Sequence, residues 1–169
     1  MQEALAKIKV LAMDVDGTLT DGKIIVHTNG VESKNFDVQD GFGLVFLRQS
    51  GIKTAMISAR ACEATKRRAD DLKIDLLFNG AYPKISAYDQ MLKKFGVSDQ
   101  EVCFVGDDLA DLILLKRAGV AIAVANAVFE IKQAADYVTK CRGGNGAVRE
   151  VVELILKAQG KWGPQLYEH

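Results

Sequence analysis

The sequence predicts an α/β fold: a three-layer, Rossmann-like parallel sheet with helices on both faces and a β-hairpin projecting after the first strand. Three observations carry that expectation. Short apolar runs of strand length alternate along the chain with segments of helical period. The runs are apolar at successive positions, as strands covered on both faces should be. The length, 169 residues, is that of one domain around one core.

In order, Val10 to Met13 reads as the first buried strand. The segments Lys23 to Val26 and Val31 to Phe36 are β-prone and flank His27-Thr28-Asn29-Gly30. Asn-Gly favours a tight hairpin turn because such turns need positive φ, so the hairpin is expected over about 22–36. Thr54 to Ile57, Val102 to Val105 and Val120 to Val124 read as further buried strands. Ile85, Tyr88, Leu92 and Phe95 share one helical face, as do Val148, Val151, Val152 and Ile155. Gly51, Gly96 and Gly119 follow helical segments, where a glycine stop is expected. A C-terminal tail is expected over about 160–169, containing Trp162, Pro164 and Tyr167.

Composition narrows the function. Apolar residues make up 49% and charged residues 26%, which is globular composition and excludes disorder and fibrous repeats. Lys+Arg and Asp+Glu are both 22, so the net charge is zero and a nucleic-acid partner is not expected. The apolar stretches are short, as at Val120 to Ala125, and predict no membrane span. Met1 to Lys9 has no apolar core of the kind a leader carries. Cys62, Cys103 and Cys141 are odd in number and widely spaced, as free thiols in a cytoplasmic protein would be.

The chemistry concentrates where apolar strands end. Asp14-Val15-Asp16-Gly17-Thr18 follows the first strand directly. Ligands of open α/β sheets bind beyond the carboxyl ends of strands. Gly106-Asp107-Asp108-Leu109-Ala110-Asp111 follows the Val102 to Val105 strand, and such a carboxylate cluster suits a hard cation such as Mg²⁺. Helix capping would explain one of these aspartates but not three. Ser58-Ala59-Arg60 also leaves a strand, where a hydroxyl and free backbone N–H groups can meet an anion. Lys84 opens a helix; taken alone it would read as a solvated surface group.

In this order the segments resemble the haloacid dehalogenase-like phosphohydrolase superfamily. Its Asp-x-Asp-Gly-Thr motif is matched by Asp14 to Thr18, its strand-end hydroxyl by Ser58, its lysine by Lys84, and its acidic motif by Gly106 to Asp111. The resemblance implies that Asp14 attacks phosphorus and that Asp16 is the general acid and base. It implies Mg²⁺ held at Asp14, at Asp16 through its backbone carbonyl, and at Asp107 and Asp108, with Asp111 supporting the metal waters or Lys84. Ser58, the Ala59 N–H and Lys84 would bind phosphate oxygens. The intervals Asp21 to Ser58 and Lys84 to Asp107 are too short for a cap, so one capless domain over 1–169 is expected.

Capless members with a hairpin after the first motif resemble the 3-deoxy-D-manno-octulosonate 8-phosphate phosphatases. Phe36 to Gly43, including Asp40 and Gly41, is similar to that family's substrate loop, and Arg60 and Arg68 match arginines suited to a sugar carboxylate. Gly143-Gly144-Asn145-Gly146-Ala147-Val148-Arg149-Glu150 matches a further family segment. Gln39 and Val45 replace frequent arginines, and Ala59 replaces a glycine. The resemblance implies a small phosphorylated sugar acid as substrate, a role in lipopolysaccharide precursor synthesis, and a cytoplasmic homotetramer assembled through the hairpin. It also implies that the C-terminal tail reaches a neighbour's site. The alternatives are the related nine-carbon sugar acid phosphatases, which tend to carry an acidic residue near position 60, and a non-catalytic oligomerisation module, which would not need Asp14, Asp16, Lys84 and Asp107 together. A response-regulator receiver also uses Asp, Lys and Mg²⁺, but not Asp-x-Asp-Gly-Thr.

Overall fold

A computed structural model describes residues 1–166, apart from the Gln165 side chain. The elements in chain order are α1 (Gln2–Leu5), β1 (Val10–Met13), β2 (Ile25–Val26), β3 (Glu32–Ser33), α2 (Val38–Gln49), β4 (Lys53–Ser58), α3 (Glu63–Leu72) and β5 (Leu76–Asn79). There follow α4 (Lys84–Phe95), β6 (Val102–Gly106), α5 (Leu112–Leu115), β7 (Val120–Ala123), α6 (Phe129–Ala134), β8 (Tyr137–Val138) and α7 (Ala147–Ala158). Six strands form one parallel sheet in the order β5-β4-β1-β6-β7-β8.

The chain leaves β1 toward β4 on one side and later returns to β6 on the other, so the strand order reverses at β1. That reversal opens a crevice at the carboxyl ends of β1, β4 and β6. Every residue of β1 and β6 is buried, because helices cover both faces. On one side α7 packs on α1 and α2, and α2 touches α3; on the other, α5 joins α4 and α6. Val148, Val151, Val152 and Ile155 of α7 are fully buried, each contributing roughly 1.5–3 kcal/mol of apolar burial.

The expected α4 face is rotated slightly. Lys84, Ala87, Tyr88 and Met91 are buried, while Ile85, Leu92 and Phe95 lie half-buried beside them. Gly96 ends α4 in the left-handed region at φ 65°. Gly119 is not such a stop: a Cβ there would lie 2.5 Å from the Gln100 carbonyl oxygen, so close backbone approach is what requires glycine. The edge strands β5 and β8, which no sequence pattern marked, complete the sheet.

The hairpin is present but short. Only Ile25–Val26 and Glu32–Ser33 pair, antiparallel, and a bridge from Thr20 to Phe36 closes its base. The ladder ends where Lys34 turns its ammonium inward to Asp16. Of the expected tail, Trp162 stacks edge-on against Phe46 at 5.8 Å between ring centroids, with the Arg149 guanidinium 4.9 Å from its ring. Residues 167–169, Tyr167 included, lie outside the described residues.

Candidate active site

The site is built on two adjacent buried strands. Asp14 and Asp16 leave β1, and Asp107 leaves β6. Gly17 turns the chain at φ 96°, and a Cβ there would sit 2.0 Å from Asp107 Oδ2. Glycine at 17 therefore lets Asp107 lie against the first motif. Thr18 Oγ1 donates to Asp107 Oδ1 at 3.4 Å, and Thr20 Oγ1 accepts from the Gly17 and Gly22 N–H groups, each at 3.2 Å.

Lys84 comes from the first turn of α4 and is 3% exposed. Its ammonium donates to Asp14 Oδ1 and, at 2.6 Å, to Asp111 Oδ1. Burial works against the Lys84 charge, yet the two carboxylates outweigh it and hold the pKa above the usual lysine value. Burial and then the Asp111 charge push Asp14 above the ordinary carboxylate range, against the pull of Lys84. Asp107 is pushed up further, first by burial, then by Asp14 and Asp111.

Asp14, Asp107 and Asp111 each bring one carboxylate oxygen within 4.8 Å of the others. An all-oxygen set with crowded negative charge is what a hard divalent cation neutralises, so these residues fit Mg²⁺. Asp111 is already engaged: Lys84 takes its Oδ1, and its Oδ2 accepts from the Asp107 N–H at 3.1 Å. Asp14 and Asp107 remain the better ligands. Asp108, expected at the metal, is exposed and instead accepts from the Leu109 N–H at 2.7 Å, capping its own turn.

Asp16 meets a residue the sequence reading missed. The Lys34 ammonium donates to Asp16 Oδ2 at 2.9 Å and to Thr65 Oγ1 at 3.0 Å. It also lies 2.7 Å from Asp16 Oδ1, but at an angle that gives attraction without a hydrogen bond. A lysine in a hairpin reads as solvated, and nothing in the sequence separates Lys34 from other surface lysines. Asn126 was missed too; its Oδ1 accepts from the Gly143 N–H at 2.6 Å and its Nδ2 faces the Gly17 carbonyl at 3.4 Å.

The remaining expected residues divide. Ser58 is buried, and its hydroxyl donates to the Arg60 carbonyl at 2.9 Å, while Ala59 and Arg60 are exposed at the same strand end. The Arg60 guanidinium pairs with Glu32 of the hairpin. Arg68 lies farther along α3, its Nη2 donating to the Asp37 carbonyl at 3.2 Å and its guanidinium 5.6 Å from the Phe36 ring centre. Asp40 and Gly41, expected to touch substrate, are drawn into packing. Asp40 Oδ1 accepts from the Arg149 N–H at 2.7 Å, tying α2 to the start of α7. A Cβ on Gly41 would sit 2.5 Å from Arg68 Nη2. A groove of about 570 Å³ runs between hairpin and α3, lined by Glu32, Lys34, Cys62 and Arg67 among others.

Comparison with known proteins follows the same lines. Residues 82–151, which hold Lys84 and the acidic motif of β6, match the haloacid dehalogenase-like hydrolase family. The chain is 40% identical to the 3-deoxy-D-manno-octulosonate 8-phosphate phosphatase of Haemophilus influenzae, over 95% of this chain and 89% of that one. The Escherichia coli phosphatase of the same description is 42% identical over 91% of this chain and 82% of its own length. The Moraxella catarrhalis phosphatase, solved in complex with a magnesium ion, a phosphate ion and a KDO molecule, superposes with a TM-score of 0.92 at 45% identity. That match covers 94% of this chain and 91% of the other.

Proposed function

The chain belongs to the 3-deoxy-D-manno-octulosonate 8-phosphate phosphatases, within the haloacid dehalogenase-like hydrolases, and from that premise we propose how its residues hydrolyse this sugar phosphate. The observation that carries the reading is the buried Asp14–Lys84–Asp111 chain beside Asp107 at the carboxyl ends of β1 and β6. Lys84 on Oδ1 fixes the Asp14 carboxylate and leaves its other oxygen to attack phosphorus. As the P–O bond to the sugar breaks, Asp16 gives its proton to the leaving oxygen. Asp16 then takes a proton from water as that water attacks the aspartyl-phosphate, releasing phosphate and restoring Asp14. Asp14, Asp107 and the Asp16 backbone carbonyl would hold Mg²⁺, which when bound would supply the charge that lets an anionic carboxylate meet an anionic phosphate. Ser58, the Ala59 N–H and Lys84 bind phosphate oxygens, and Arg60 takes the sugar carboxylate, exchanging it for Glu32.

The domain is capless in this reading. Between Asp21 and Ser58 lie only the hairpin, α2 and β4, and between Lys84 and Asp107 only α4, a single 3₁₀ turn and β6. The exposed Ile25, Val26 and Val31 of the hairpin suit burial against other copies, in a homotetramer that closes each site. No helix among the described residues is long and apolar enough to cross a membrane. A cytoplasmic enzyme supplying lipopolysaccharide precursors is the setting this proposal takes.

The test is a parallel assay on the eight-carbon and nine-carbon sugar acid phosphates, with and without Mg²⁺. Preferred turnover of the eight-carbon ester, lost on chelation and restored by Mg²⁺, is expected. Preference for the nine-carbon ester, or equal poor turnover of both, overturns the substrate assignment. Light scattering tests the assembly, and a monomer at micromolar concentration overturns it.

A further inference from the structure

Lys34 is held in a way that a surface lysine is not. Its side chain is fully buried, whereas the Asp16 side chain it meets is 21% exposed. A buried ammonium persists only when its charge and N–H groups are satisfied. Both known partners come from other elements: Asp16 from the loop after β1, and Thr65 from the first turn of α3. Thr65 is itself fully buried, so it is a fixed acceptor. The hairpin thus reaches one carboxylate at the end of β1.

The ammonium sits against both oxygens of that carboxylate: it donates to Oδ2 at 2.9 Å and lies 2.7 Å from Oδ1, which is buried. An acid that must deliver a proton along one direction loses rate when its carboxylate rotates. We propose that Lys34, braced by Thr65, is a positioning residue that fixes the rotation of the Asp16 carboxylate, so that its proton is passed along one direction. The proposal rests on the acid–base role given to Asp16 above. The step itself is unchanged: the proton moves from the Asp16 carboxyl to the leaving oxygen as its bond to phosphorus breaks, and the carboxylate takes a proton from water in the second half.

This role predicts a dependence on the leaving group. A sugar alkoxide needs the proton; p-nitrophenolate does not. The experiment compares full-length wild type, Lys34→Met, Lys34→Arg and Thr65→Val with Mg²⁺ present. It reads steady-state kcat and KM on the sugar phosphate, and first-turnover release of p-nitrophenol from p-nitrophenyl phosphate. Lys34→Met should lower kcat on the sugar phosphate by about 10–100-fold, within the range of general acid catalysis. KM and the first-turnover rate on the aryl phosphate should stay near wild type. Lys34→Arg should restore part of the loss, and Thr65→Val should show a smaller loss of the same kind. Equal losses on both esters would mean a structural role, and a raised KM with weakened inhibition by inorganic phosphate would make Lys34 a phosphate ligand; either overturns the proposal. Asp16→Asn separates the two levels. If it loses turnover while Lys34→Met and Thr65→Val do not, only the positioning role falls; if it keeps full turnover, the role of Asp16 falls and takes this inference with it. Should the wild type reject the sugar phosphate, the comparison runs on a simple alkyl phosphate, so the substrate assignment fails separately.

Discussion

The carboxyl ends of β1 and β6 and the wall formed by the hairpin with α3 border one crevice, but they are built differently. At the strand ends, Asp14 and Asp107 continue fully buried, hydrogen-bonded neighbours, and Lys84 is buried from the first residue of its helix. Along the other wall, Glu32, Arg60 and Lys34 depend on a two-residue ladder and on pairs across elements. The Arg60–Glu32 pair is exposed, whereas the Lys84 pairs are not. The groups proposed to react are fixed by the core, while Arg60, proposed for the sugar, is paired with Glu32 of a hairpin whose apolar Ile25, Val26 and Val31 are exposed. Phosphoryl transfer and sugar recognition should therefore respond to different perturbations.

The strongest way to break this contrast is Asp14→Asn. Turnover should fall by about 10⁴-fold or more on any phosphate ester, as for loss of a nucleophile, with no phosphoenzyme trapped by acid quench. Appreciable turnover in that variant would sink the assignment of the strand ends. Arg60→Ala should spare chemistry and weaken recognition. kcat/KM on the sugar acid phosphate should drop by about 10–100-fold, the value of a charged hydrogen bond, with p-nitrophenyl phosphate unaffected. The melting temperature should hold, because the lost ion pair is exposed. An equal loss on both esters would erase the distinction between the two walls.

A smaller effect comes from Asp40, which belongs to neither wall. Burial first, then the Asp37 charge, push its pKa up to about 6, while backbone N–H groups at the start of α7 resist. The unfolded value is about 3.9, so the protonated form is favoured by folding. The stability it contributes is complete below about pH 4 and is lost as pH rises through 6. Asp40→Asn should remove that slope, gaining on wild type by about 2–3 kcal/mol at most between pH 4 and 7. Urea denaturation across that range measures it; parallel curves for the two proteins would place the carboxyl in a more solvated setting.

The contrast between the walls also explains what the sequence made legible. Val10 to Met13 and Val102 to Val105 are apolar throughout, and an aspartate directly after such a strand has its position set by its neighbours. The two aspartate motifs, Asp14 to Thr18 and Gly106 to Asp111, were readable for that reason, and Asp111, read with its neighbours rather than as a surface acid, is buried. Lys34 was not readable, because its partners lie 18 and 31 residues away and only the docking of the hairpin brings them together. Asp40 and Gly41 were read as substrate groups because they stand in a matching segment, but a segment pattern does not tell which face of a helix meets ligand and which meets α7. The edge strands β5 and β8 escaped notice: β8 has only two residues, and β5, though as long as β1, is partly buried and has a single three-residue apolar run, Leu76 to Phe78.

The loop at Gly143 bears on how such a protein can change. A Cβ at 143 would fall 1.7 Å from the Gly17 carbonyl oxygen, and Asn126 bonds to both segments. Backbone lies on backbone there, with no side chain to adjust between them. Any attempt to retune specificity by diversifying the residues around the nucleophile must leave this contact fixed. A lesion at 143 would imitate a catalytic mutation although the residue carries no reactive group. The evolvable part of the crevice is the opposite wall outside Lys34 and Thr65, where exposed side chains such as Arg60 and Glu32 meet and can be exchanged one at a time.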